Sequence, residues 1–129
     1  MKLLLDTHVA IWAVAYSPRL PTAVTDLLRD TGNEIFVSVV TVWEIAIKRA
    51  LGKRSAPPLS AEQAVGYFRG SGYRLLDVTV QHAVGVESLP HIHADPFDRL
   101  LVAQALAEPL RLLTRDAKVA AYSDSIIRF

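Results

Sequence analysis

Asp6, Glu44, Asp95, Asp98 and Asp116 are carboxylates set where an alternating α/β chain brings side chains together, and the chemistry they share is cation binding. Asp6 closes the apolar run Leu3-Leu4-Leu5, and Asp116 follows Leu112-Leu113-Thr114-Arg115. Buried strands of a parallel sheet read as unbroken apolar runs and deliver their last residues to the sheet's carboxyl edge, where α/β proteins place ligands. Both acids are therefore expected at that edge, side by side if their strands pair. Asp98 falls in the first turn of the most apolar helical stretch, where the helix dipole favours a carboxylate. Glu44 stands between Trp43 and Ile45 in another apolar helix, a costly place for an acid without a partner.

Several carboxylates in one cleft repel one another, so either some stay protonated or a cation joins them. The sequence contains no cysteine. That removes zinc–thiolate sites, iron–sulfur clusters and thiol nucleophiles, and leaves oxygen donors for a hard ion such as magnesium, with manganese as a substitute. Such an ion polarises a phosphate and lowers the pKa of a water, and a second ion ~3.5–4 Å away would stabilise the leaving oxygen. Phosphodiester hydrolysis is the reaction class these acids suit.

Each acid also has an ordinary structural role. Asp6 and Asp116 fit helix N-caps, and Asp95, preceding Pro96, reads as the N-cap of the helix that follows. Glu44 taken alone is a partly exposed partner for Lys48 one turn on, and Asp98 can pair with Arg99. The joint reading is preferred because the ordinary ones require several independent coincidences. His91 and His93, alternating with Asp95, are read as solvent-exposed loop histidines, since alternate loop residues seldom converge on a metal without a fourth ligand. Thr7 and Thr114 can orient neighbouring acids through their hydroxyls.

The elements that must position these residues follow from periodicity and punctuation. Strands are expected at Leu3–Leu5, Glu34–Ser38, Tyr73–Leu76 and Leu110–Thr114, with a short edge strand at Ile126-Ile127. Helices are expected at Val9–Ala15, from Pro21 through Leu28, at Thr41–Ala50, from Ser60 through Phe68, at Val80–Glu87 and at Phe97–Ala107, with one more beginning near Asp116. Val42, Ile45 and Ala46 are expected on the buried face of the third helix, and Phe97–Ala107 is expected to have almost no wet face. The alternation predicts an α/β fold with a mostly parallel sheet and helices on both faces, joined by right-handed crossovers.

At 129 residues and 51% apolar, the chain can bury a core as one domain, residues 1–129, without disulfides. Lack of cysteine suits a reducing compartment, so cytoplasmic residence is expected. Lys2 leads straight into a strand that ends in a charge, and no apolar run reaches ~20 residues, so neither export nor membrane insertion is expected. A formal net charge of +1 argues against coating nucleic acid by electrostatics alone, although Lys48, Arg49, Lys53 and Arg54 crowd one segment.

Four segments together resemble a known family: Leu-Leu-Asp-Thr-His-Val-Ala-Ile-Trp at the start, Ser-Val-Val-Thr-Val-Trp-Glu-Ile-Ala-Ile-Lys in the middle, then His-Ala-Asp-Pro-Phe-Asp-Arg-Leu-Leu-Val-Ala-Gln-Ala and Leu-Leu-Thr-Arg-Asp-Ala-Lys-Val. In that order and spacing they are similar to PIN domains, specifically VapC-type toxins of type II toxin–antitoxin systems. The resemblance implies a three-layer α/β/α sandwich and an acidic site at Asp6, Glu44, Asp98 and Asp116. Asp6 and Asp98 would be the principal magnesium ligands, with Asp116, and Glu44 through water or a second ion, completing the site. Asp95 is left auxiliary. It further implies magnesium-dependent endoribonuclease cleavage of RNA by a metal-activated water, a cognate VapB antitoxin and a homodimer. Arg99, Arg115, Lys48 and Arg49 are candidates for positioning phosphates.

Three other readings compete. A receiver-like signalling module would want paired acids after the first strand, where Asp6-Thr7-His8 stands, and a phosphorylatable acid such as Asp77. A haloacid-dehalogenase-like phosphatase would need an acid at the position of His8. A PIN scaffold that only binds RNA or protein would have no reason to keep all four acids.

Overall fold

Leu3, Leu4 and Leu5 are completely buried, and they point alternately into two different cores, which is what a strand covered on both faces requires. The computed structural model describes residues 1–129 and places this strand, β1 (Lys2–Leu5), at the centre of a five-stranded sheet. β2 (Glu34–Ser38) and β4 (Arg111–Thr114) flank it, with β3 (Arg74–Leu76) and β5 (Ile127–Arg128) at the edges, giving the order β3-β2-β1-β4-β5. Every strand pair is parallel. The expected mostly parallel sheet is thus wholly parallel, and its carboxyl edge gathers the residues that follow Leu5, Val37 and Leu113.

The first core packs Leu3, Leu5, Val37 and Leu113 against Val9, Ile45, Ala64 and Phe68. These come from α1 (Thr7–Val14), α3 (Val39–Leu51) and α4 (Ala61–Gly70), with α2 (Thr22–Arg29) adding Val24. The second core packs Leu4 and Leu112 against Leu101, Val102 and Ala105 of α6 (Pro96–Ala107) and Val119 of α7 (Ala117–Ala120). Between them, α5 (Val80–Gly85) runs on into a 3-10 turn, Val86–Ser88, where one continuous helix to Glu87 was expected. The result is three layers, helices on either side of the sheet, as expected.

Two helix faces differ from expectation. In α3 the buried residues are Val40, Thr41, Glu44 and Ile45, while Ala46 lies in solvent; the helix therefore turns a polar stripe inward. In α6, Leu106 is 46% exposed, so the helix keeps some wet surface. A fully buried Gln104 links this helix to the sheet, accepting a hydrogen bond from Ser38 Oγ at 2.5 Å and donating to the Asp77 carbonyl at 3.3 Å. Ser38 also caps α3 by accepting from the Val40 N–H. The two helices that carry Glu44 and Asp98 are thereby fixed to one corner. No helix is long and apolar enough to cross a membrane.

Candidate active site at the carboxyl edge of the sheet

Asp6 leaves β1 as the N-cap of α1 and both its oxygens are held: Oδ1 accepts from the Thr7 N–H and Oδ2 from Thr114 Oγ1, each at 2.6 Å. Because β1 and β4 are neighbours, Thr114 also accepts from the Asp116 N–H at 3.0 Å and ties the two strand-end acids together. Asp116 caps α7 through the Lys118 N–H. Asp6 and Asp116 thus cap helices and line one cleft at the same time. Asp95 caps α6 as expected, accepting from the Phe97 and Asp98 N–H groups. Asp98, in the first turn, points toward Asp116.

Between those two acids lies His93. Its Nε2 is 3.1 Å from Asp98 Oδ2 and 3.1 Å from Asp116 Oδ2. The Nδ1 accepts from the Asp95 N–H at 3.2 Å, which assigns the proton to Nε2 and makes it the donor to both carboxylates. His93, Asp98 and Asp116 are the one group of three such residues whose ligand atoms lie within 4.8 Å of one another. The expectation of an exposed loop histidine fails for His93 and holds for His91. The signal available was position: His93 stands two residues before the N-cap of a helix whose start meets the carboxyl edge, so the turn entering that helix has to cross the site.

Glu44 pairs with Lys48 at 2.5 Å, as the spacing implied, but it is 3% exposed where partial exposure was expected. Thr7 Oγ1 donates to its other oxygen at 2.9 Å and lies 3.0 Å from Thr41 Oγ1. The cleft, about 310 Å³, has Asp6, Asp98 and Asp116 in its wall. Glu44 is absent from that wall and stands behind it, close enough for its charge to act on Asp6 and Asp98. A cavity of about 690 Å³ on the far side of Trp12, near the start of β2 and β3, is larger but has no comparable group of ligands. Chemistry, not volume, singles out the smaller cleft.

The electrostatics are those of a site built for positive charge. Burial, reinforced by the charges of Asp6, Asp95, Glu44 and Asp116, pushes the Asp98 carboxyl up to about 8. Burial also raises Asp6, against the hydrogen bonds from Thr114 and Thr7. For Asp116 burial is outweighed by hydrogen bonds from the Lys118 N–H and His93, which hold it below the ordinary range. Burial alone would lower the Lys48 ammonium, but its hydrogen bond and attraction to Glu44 hold it above its usual value. The expected phosphate-positioning cations divide. Arg99 is spent on the Pro90 and Val86 carbonyls and Tyr122 Oη, Arg49 on the Pro57 carbonyl and Lys48 on Glu44, whereas Arg115 lines the cleft.

Residues 3–124 match the family model of the PIN domain. The chain belongs to the PIN domain family. PIN nucleases are metal-dependent, and this PIN domain carries an acidic cluster at the edge just described. Among curated proteins it is similar to Ribonuclease VapC22 of Mycobacterium tuberculosis (strain ATCC 25618 / H37Rv), 29% identical over 122 residues, 92% of this chain and 90% of that one. Among solved structures it resembles VapBC2 from Rickettsia felis bound to a DNA fragment from their promoter, with a TM-score of 0.67 and 17% identity over 100% of this chain and 98% of that chain. It also resembles VapBC-5 from Mycobacterium tuberculosis, a member of the VapBC family of toxin-antitoxin systems, with a TM-score of 0.64 and 19% identity over 99% and 98%. At those identities the structural likeness establishes the fold.

Proposed function

We propose that this PIN domain is a magnesium-dependent endoribonuclease, the toxin of a VapBC-type toxin–antitoxin pair. The observation that carries the reading is the meeting of Asp6, Asp98 and Asp116 in one cleft, with Glu44 behind it and Asp98 so crowded by negative charge that it resists ionising. A donor set made of carboxylate oxygens suits magnesium, which takes one or two carboxylates and keeps waters. Asp6, Asp98 and Asp116 would hold the ion. When bound, it supplies charge stabilisation for a phosphodiester and an activated water for attack, leaving a 3′-hydroxyl and a 5′-phosphate.

The chain's own residues do the rest. Thr7 and Thr114 fix Asp6 from both sides so that it does not rotate away from the cleft. Glu44, anchored by Thr7 and Lys48, adds negative charge from the rear and acts through water. His93 spans Asp98 and Asp116 and keeps the two acids together before any cation arrives. The solved relatives are VapBC toxin–antitoxin pairs, which supports a VapB-type antitoxin as the partner of this chain; a homodimer working in the cytoplasm completes the proposal.

The test is cleavage of structured and unstructured RNA by the purified protein with magnesium, with chelator, and with Asp6→Asn or Asp98→Asn. Cleavage is expected with magnesium only, and in neither variant. RNA cutting that persists in chelator rejects the mechanism. Folded protein that binds RNA and never cuts it is a binding module.

A further inference from the structure

Part of the cleft wall is made of different chemistry: His8, Trp12, Arg19 and Arg115 line it beside the acids. The His8 and Trp12 rings lie 5.8 Å apart at 41°, and the Arg19 guanidinium carbon sits 5.7 Å from the Trp12 ring centre. Arg115 donates to the Arg19 backbone carbonyl at 3.4 Å, and both arginines line the cleft. Both are exposed, and neither forms an ion pair with any acid of the protein. Their charges are therefore left for an anionic ligand. Guanidinium forks match phosphate oxygens, and an indole beside a guanidinium and an imidazole offers a face on which another planar ring can stack.

We propose that this wall is a subsite for a nucleotide beside the scissile phosphate of single-stranded RNA, with Arg19 and Arg115 taking phosphate oxygens and the base stacking on the Trp12–His8 group. The proposal rests on the nuclease reading. Alternating aromatic rings and cations along a groove is how proteins track single strands, because every base has a face to stack while only an unpaired one is free to use it. An acidic peptide would satisfy the arginines and leave the rings without purpose. These residues also answer an electrostatic need: a phosphodiester approaching three acids is repelled, and cations lining the same cleft draw it in.

Binding is measured with an Asp98→Asn protein, which leaves RNA uncut, and a labelled single-stranded RNA of about a dozen nucleotides, a length within the range of known single-strand sites. Arg19→Ala with Arg115→Ala is expected to flatten the dependence of log affinity on log salt by about 1.4, two phosphates at about 0.7 each. Trp12→Ala is expected to weaken binding by about tenfold, with Trp12→Phe restoring most of it. In a Trp43→Phe background, RNA quenches the remaining Trp12 fluorescence; the same strand in a duplex does not. An unchanged salt slope, no quenching, or polyglutamate competing as well as RNA overturns the proposal. If wild-type protein cuts RNA with magnesium while the arginine pair variant keeps its KM, the subsite fails and the nuclease reading stands. If Trp12 is quenched and the arginine effect appears but wild-type protein never cuts, the nuclease reading fails and the subsite stands.

Discussion

Asp98 holds a proton in the folded chain up to about pH 8 because folding buries it among four other carboxylates. Replacing it with asparagine removes the charge and keeps the shape. Asp98→Asn is therefore expected to abolish cleavage, by more than about 100-fold since even outer-shell partners cost 10–100-fold, and to raise the melting temperature at pH 8 in chelator. Lower stability in that variant would mean that the carboxylate is not under strain. The acids themselves were legible, because an apolar strand that ends in an acid announces both its burial and its edge. His93 was not, because a residue in a turn has no period to place it. Arg99 was a candidate for phosphate or for Asp98 for the converse reason: sequence shows a guanidinium but not the carbonyls of residues 90 and 86 that claim it.

Helix ends carry the site, and capping makes it possible to separate scaffold from chemistry. Asp95 caps α6 with a side-chain oxygen that asparagine can also supply. Asp95→Ala is expected to cost about 1 kcal/mol of stability, whereas Asp95→Asn leaves stability and cleavage near wild type; denaturation curves and initial rates on both variants decide it. If Asp95→Asn silences cleavage as Asp98→Asn does, Asp95 belongs among the ligands. Element order was readable from alternation and turn residues, and β2 was placed to the residue. The start of α3 was missed by two residues, because Val39 and Val40 are β-branched and gave no helical signal, while the Ser38 cap that starts the helix there works through geometry. Neither the register nor the β3-β2-β1-β4-β5 order is written in periodicity, which identifies strands without naming their neighbours.

For the molecule as a whole, gathering acids sets how stability varies with pH. The Asp98 carboxyl has an ordinary value of 3.8 and a folded one of about 8, so across that window the folded state keeps a proton that the unfolded state has lost. Stability without metal is expected to fall as pH rises from about 4 to about 8. A divalent ion that binds the ionised site reverses this, worth about 2.7 kcal/mol at a hundredfold excess over Kd. Thermal melts at pH 5 and pH 8, with and without magnesium, are expected to show a larger magnesium effect at pH 8; an effect independent of pH would separate metal binding from Asp98. The hydrogen bond from Thr114 to Asp6 spans 108 residues, and it has a consequence for biosynthesis. A growing polypeptide carries Asp6 for 108 residues before its Thr114 counterpart exists, and the two meet only when β4 has emerged and slotted beside β1. The acidic cleft is thus completed late, only after the fourth strand has been made, and a ribosome partway through this domain carries no finished site.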